Sequence, residues 1–189
     1  MTSDKKNICV FLGSRAGNDP EFLQQTKRFA RSLVANNLNL VFGGSNVGLM
    51  KALSDTVIDC GGEVTGVYPH GLFEQAEASA NLTQLHSVLS MHERKALMAE
   101  LSSGFVALPG GLGTLEEIFE ALTWTQIGMH SKPCGFLNIS GFYDNLLTFL
   151  DDVTDQGFVS PTQRSSIIAN DDPDILIKKM LQHHAFMRD

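Results

Sequence analysis

Short apolar runs alternate with longer amphipathic stretches along the chain, and the two periodicities separate strands from helices. Residues 8–12, 38–42, 64–68, 105–108 and 135–139 are brief runs of strand-forming side chains, and residues 82–88 form a candidate strand inside a long connection. Helical spacing fills the intervals. In 21–35, Phe22, Phe29, Leu33 and Val34 can share one face, while 49–60 is stopped by Gly61-Gly62. Residues 92–103, 115–129, 143–155 and 174–184 read as four further helices. This β–α alternation predicts an α/β protein: a doubly wound, mainly parallel sheet with helices on both faces.

Length and composition narrow the picture without changing it. A chain of 189 residues with 43% hydrophobic side chains is expected to form one domain, 1–189, around a sizeable core. No apolar run reaches the roughly 18–20 residues of a membrane span. The polar residues 1–7 lead straight into a strand, without the apolar stretch and cleavage site of a signal peptide, so a cytoplasmic protein is expected. A net charge of -7 argues against broad nucleic-acid binding, which needs a basic stripe, but leaves room for a small anion held by a few local donors. Cys9, Cys60 and Cys134 are widely spaced and odd in number, as expected of small core residues in a reducing compartment. The six histidines lack metal-ligand spacing, so no metal is expected.

The candidate chemistry lies where strands end. Open parallel sheets bind ligands beyond the carboxyl ends of their strands. Three such ends carry small residues: Gly13-Ser14, Gly43-Gly44-Ser45 and Gly110-Gly111-Leu112-Gly113-Thr114. The last follows Pro109 and opens a helix. Glycines there let the backbone approach a ligand closely, and a helix amino terminus suits phosphate. Thr114 can add a hydroxyl donor. A plainer reading makes Thr114 and Glu117 a capping box, which accounts for those two residues but not for three glycines in four positions. Neither GxxxxGK[ST] nor GxGxxG spacing is present.

Ser90-Met91-His92-Glu93-Arg94-Lys95 is the second cluster. Two cations at a helix start oppose the helix dipole. Alone they would be a solvated, ion-paired face; beside an anion loop they become phosphate donors, a planar fork and a point charge. His92 is a candidate acid or base but stands alone. Phe119, Leu122 and Trp124 read as core positions, and Asp151-Asp152 and Asp171-Asp172 as surface or cap residues.

Residues 109–117 resemble the PGGxGTxxE signature of the Lonely Guy family, the cytokinin riboside 5′-monophosphate phosphoribohydrolases. Met91-His92-Glu93-Arg94-Lys95 is similar to that family's second motif, 42–50 to its YGGGxxGLM segment, and 9–14 to its opening strand and loop. Thr123-Trp124 and Lys132-Pro133 also fit, and the resemblance runs to about Pro161. It implies a Rossmann-like fold, a homodimer and no metal or redox cofactor. It places the catalytic pair on Arg94 and Glu117, a substrate-contacting lysine on Lys95, the phosphate loop on Gly110, Gly111, Gly113 and Thr114, and a further contact on Thr123. Gly13, Ser14, Gly43 and Gly44 complete the expected binding set. Three positions depart from the pattern: Ser45 and Lys51 stand where glycines are usual, and Ala76 where an acidic substrate contact is, with Glu74 and Glu77 nearby but out of register. Some relatives carry a lysine-decarboxylase label, for which no lysine here has a fitting setting.

The implied reaction is hydrolysis of the N-glycosidic bond of a nucleoside 5′-monophosphate, a cytokinin riboside 5′-monophosphate or AMP, to free base and ribose 5-phosphate. Glu117 would stabilise oxocarbenium-like charge and orient water, as carboxylates do in glycoside cleavage. Arg94 would fix the phosphate and assist the departing base. Two alternatives stay open: a nucleotide-binding protein without turnover, and a broader nucleotide 5′-monophosphate nucleosidase.

Overall fold

Each of the buried strands splits its side chains between two cores. In β1 (Asn7–Phe11), Ile8 and Val10 face one layer and Cys9 and Phe11 the other, the period of two that a sheet covered on both faces requires. The computed structural model describes residues 6–70 and 81–183. The chain continues through α1 (Pro20–Ala35), β2 (Asn39–Phe42), α2 (Gly48–Asp59), β3 (Val64–Pro69), β4 (Gln84–Val88), α3 (Met91–Glu100) and β5 (Gly104–Ala107). It then forms α4 (Leu112–Gln126), β6 (Cys134–Leu137), a 3-10 turn (Ile139–Gly141), α5 (Asp144–Asp155), α6 (Pro161–Ser166), β7 (Ile167–Asn170) and α7 (Pro173–Leu181).

Among the described residues, seven strands make one sheet in the order β4-β3-β2-β1-β5-β6-β7, and every pairing is parallel. Helices α1, α2 and α7 cover one face through Phe29, Leu33, Leu53, Val57 and Leu176. Helices α3 and α4 cover the other through Met98, Ile118 and Ala121, joined by Tyr143 and α5. The order reverses between β1 and β5, so the chain leaves these adjacent strands in opposite directions and opens a crevice above them.

The expected doubly wound α/β fold is present, with an entirely parallel sheet. Phe119, Leu122 and Trp124 pack against the core as expected. Helix α6 and strand β7 go beyond the expected elements; β7 pairs with β6 at the sheet edge. Cys9 and Cys134 are buried, but Cys60, at the end of α2, is exposed and is no core residue. Among the described residues no helix is long and apolar enough to cross a membrane.

Candidate active site

The loops after β1, β2 and β5 meet above the β1–β5 crevice, at the mouth of a cavity of about 990 Å³. Backbone contacts hold them together. The Gly13 amide donates to the Pro109 carbonyl at 3.1 Å. A side chain at Gly110 would collide with the Thr114 hydroxyl and come within 2.9 Å of the Gly13 nitrogen. Gly48 has φ +55 and lies against the Ser14 carbonyl, so a Cβ there would be both strained and blocked. Gly111 and Gly113 differ: a Cβ on either would meet nothing within 4 Å. Packing within the protein does not account for these two glycines, whereas a ligand seated against the backbone would.

Helix α4 starts earlier than the capping-box reading allows. Its N-cap is Gly111, with no side-chain cap. Thr114 is the third helical residue, buried, its side chain lying over Gly110. Glu117 turns inward to Arg94 instead of back to the helix start. The capping-box alternative is therefore overturned; a reciprocal box does form at Ser160–Gln163, at the start of α6. Helix α2 also begins without a side-chain cap, whereas α1, α3 and α7 are capped by Asp19, Ser90 and Asp172. The first-turn amides of α2 and α4, which a folded helix leaves unpaired, thus begin beside the cavity without a side-chain acceptor.

Arg94 and Glu117 form the charged floor. Both are buried, and Arg94 Nη1 donates to Glu117 Oε1 at 2.5 Å. Arg94 Nε donates to the Val67 carbonyl at 3.0 Å. Nη2 makes no hydrogen bond among the described residues and packs directly over Gly43, where a side chain would displace it. The second cluster's charge pattern is thereby explained: Arg94 faces an acidic helix, while Glu93 serves the cap by accepting from the Leu89 amide at 2.8 Å. Burial raises the Glu117 carboxyl above the ordinary glutamate range, although the charge and hydrogen bond of Arg94 pull it down. Beneath the glycine loop, the buried Tyr143 hydroxyl donates to the Leu108 carbonyl at 2.6 Å and anchors the end of β5.

Gly13, Ser14, Gly43, Arg94, Gly110, Gly111, Gly113, Thr114 and Glu117 all line the cavity. Three expected residues lie outside the lining. Gly44 packs on the backbone of β3 near Val67. Lys95 is held by Glu116 and Glu120 of α4. Thr123 is exposed on α4, and its hydroxyl donates to the Phe119 carbonyl at 2.7 Å. Ala76, Glu74 and Glu77 fall outside the described residues. Arg15, Phe22, Val47, Met50 and Phe142 join the lining unforeseen. Phe22 and Phe142 meet edge to face with centroids 5.6 Å apart. Phe22 packs against the same core as Phe29 and Leu33, and its place in the first turn of α1 also brings it to the cavity.

The fold and this loop cluster define a class: Rossmann-like α/β proteins with a ligand crevice at the switch point of the sheet. Solved structures agree on the fold. A molybdenum cofactor binding protein from Rippkaea orientalis superposes with TM-score 0.71 at 21% identity, covering 95% of this chain and all of the other. The molybdenum cofactor carrier protein of Chlamydomonas reinhardtii gives TM-score 0.71 at 22% identity, covering 94% and 98%. Sequence relatives are nearer. The cytokinin riboside 5′-monophosphate phosphoribohydrolase LOG1 of Arabidopsis thaliana is 43% identical over 95% of this chain and 84% of its own. A phosphoribohydrolase of the same description from Rhodococcoides fascians is 44% identical over 86% and 83%. A family model described as "Possible lysine decarboxylase" matches residues 50–180. The chain belongs to the Lonely Guy family of cytokinin riboside 5′-monophosphate phosphoribohydrolases.

Proposed function

We propose that this protein hydrolyses the N-glycosidic bond of a nucleoside 5′-monophosphate, releasing free base and ribose 5-phosphate. The observation that carries the reading is the pairing, in one cavity, of an uncapped helix start behind a glycine loop with a buried Arg94–Glu117 pair. The first suits a phosphate dianion; the second suits a reaction that builds positive charge beside a carboxylate.

In this reading Gly110, Gly111, Gly113 and Thr114 hold the 5′-phosphate, with Gly13 and Ser14 across the crevice. Glu117 faces C1′ and orients water. The C1′–N bond breaks with its electron pair going to the base, the water oxygen bonds to C1′, and a water proton ends on the base nitrogen. Arg94 keeps Glu117 in place and offers Nη2 to the ligand. The apolar wall of Val47, Met50, Phe22 and Phe142 faces the base end. The cytokinin riboside 5′-monophosphates that name the relatives are the first candidate substrates, and AMP the second. The protein acts as a cytoplasmic homodimer of single-domain subunits, without metal or redox cofactor.

The test compares adenosine, AMP, ADP, ATP and a cytokinin riboside 5′-monophosphate, following free base. Contacts to the phosphate lie away from the scissile bond, so their binding energy positions C1′. Removing the phosphate is expected to lower kcat/KM on the order of a thousandfold, equivalent to about 4 kcal/mol, and the longer phosphates to react poorly. Equal efficiency on adenosine and AMP would overturn the phosphate assignment; binding without base release would favour a nucleotide-binding protein without turnover.

A further inference from the structure

The chain enters the glycine loop through Leu108-Pro109, and the carbonyls of these two residues are held by different segments. The Gly13 amide, from the loop after β1, donates to the Pro109 carbonyl at 3.1 Å. The Tyr143 hydroxyl, from the start of α5, donates to the Leu108 carbonyl at 2.6 Å. Proline supplies no N–H, so the carbonyl is the one hydrogen-bonding group of the Leu108–Pro109 peptide. Whatever binds that carbonyl sets the tilt of the peptide. The Pro109 ring, which fixes φ, passes the tilt on to Gly110 and to the amides that follow.

The turn after β6 is shaped to deliver that hydroxyl. Ser140 has φ 51 and Gly141 φ 71, two consecutive left-handed residues, and an L side chain adopts this conformation at a cost. The Asn138 side chain closes the turn: it accepts from the Tyr143 amide at 2.7 Å and donates to Asp144 Oδ1 at 2.6 Å. At Gly141 an added Cβ would come within 2.5 Å of Asp144 Oδ2. The Tyr143 ring meets Phe136 and Phe142 edge to face, with centroids 5.0 and 4.9 Å away, and is almost fully buried. Burial pushes its hydroxyl above the ordinary tyrosine range, so it keeps its proton and remains a donor.

We propose that Tyr143 is a positioning residue for the phosphate: its hydrogen bond to Leu108 aims the amides of the glycine loop, and the left-handed turn at Ser140-Gly141 holds the hydroxyl in place. This rests on the assignment of that loop to the 5′-phosphate given above. Tyr143 does not line the cavity and acts through the backbone it holds. Phenylalanine at this position keeps the ring packing but gives Leu108 no hydroxyl. The loop then keeps its glycines and loses its fixed aim, so the effect falls on the anionic end of the ligand and spares the base.

The experiment measures binding of ribose 5-phosphate, which carries the phosphate without a base, and of adenine, which is the base alone. Both are followed by calorimetry, and as inhibitors of AMP hydrolysis, in Tyr143→Phe, Gly141→Ala and Phe136→Leu. Tyr143→Phe is expected to weaken ribose 5-phosphate about three- to tenfold, the worth of one neutral hydrogen bond, and to raise KM for AMP by the same factor, with adenine unmoved. Gly141→Ala, which displaces the turn, should move the same constants in the same direction; unmoved constants there would overturn the part given to the turn. Phe136→Leu loosens the ring but keeps the hydroxyl, so it should lower the urea midpoint and leave ribose 5-phosphate binding alone. A lowered midpoint in Tyr143→Phe with unchanged ribose 5-phosphate binding would overturn the proposal. So would equal weakening of ribose 5-phosphate and adenine, or an equal loss in Phe136→Leu. Failure of the phosphate assignment shows already in the wild type, as no binding of ribose 5-phosphate, and would overturn both. Absence of base release by the wild type would refute the proposed hydrolysis, while calorimetry would still decide the role of Tyr143.

Discussion

Replacing Gly43 with alanine tests how tightly the cavity floor is built. The backbone there lies outside the left-handed region, so alanine brings no torsional strain. The perturbation is one methyl group placed where Arg94 Nη2 now sits. Arg94 has little freedom to retreat, because Nε is held by Val67 at 3.0 Å and Nη1 by Glu117 at 2.5 Å. Moving it aside gives up at least one hydrogen bond of a charged group, about 1.5–3 kcal/mol. If that loss falls on the competent geometry, kcat/KM drops about 10- to 150-fold, at about 1.4 kcal/mol per tenfold. Urea unfolding should show a comparable destabilisation. The control is the same substitution in an Arg94→Ala background, where the methyl group meets space and the cost should shrink to within about 0.5 kcal/mol, as a double-mutant cycle reads coupling. Unchanged kcat/KM and unfolding midpoint in Gly43→Ala, or equal destabilisation in both backgrounds, would refute the reasoning.

Glu117→Gln keeps the size and an acceptor for Arg94 but removes the charge; turnover should fall about 10²- to 10³-fold while nucleotide binding, followed by calorimetry, remains measurable. Since burial raises Glu117 above the ordinary value of 4.5, its carboxylate is lost as pH falls through that raised value, so the acid limb of kcat/KM should lie above 4.5; a limb at or below it would exclude Glu117 as the titrating group. By linkage, the same shift lowers folded-state stability as pH rises through that window, and Glu117→Gln should abolish this component in pH-dependent unfolding. Light scattering at micromolar concentration should give twice the chain mass, and a monomer would reject the homodimer.

Much of the fold was legible because its signals are local. Apolar runs ending in glycine gave β1, β2 and the start of the α4 loop, and amphipathic spacing gave the long helices. Strand β7 was not, since Ile167–Asn170 offers only two large apolar residues before a turn, and its strand state comes from pairing with β6. Within the site, the glycine clusters and Arg94 announced themselves by oddity. The partner of Lys95 did not: a lysine beside an arginine reads equally well as a ligand contact or as half of an ion pair until the facing helix is placed. The capping-box alternative at Thr114 fails for a related reason, because S/T-x-x-E describes a helix start only if the helix starts there, and α4 is N-capped three residues sooner, at Gly111. Phe142 is reached only through the turn after β6, a contact between distant segments that no short-range pattern encodes.

The interlocked glycines also limit how such a site can diversify. At Gly48 the neighbouring loop, and at Gly110 the Thr114 side chain and the loop after β1, occupy the volume a side chain would need, so substitution at either glycine would have to move what frames this end of the cavity. Val47, Met50, Phe22 and Phe142 contribute side chains to the same lining. Change in the shape of the pocket is therefore easier through these side chains than through the two blocked glycines.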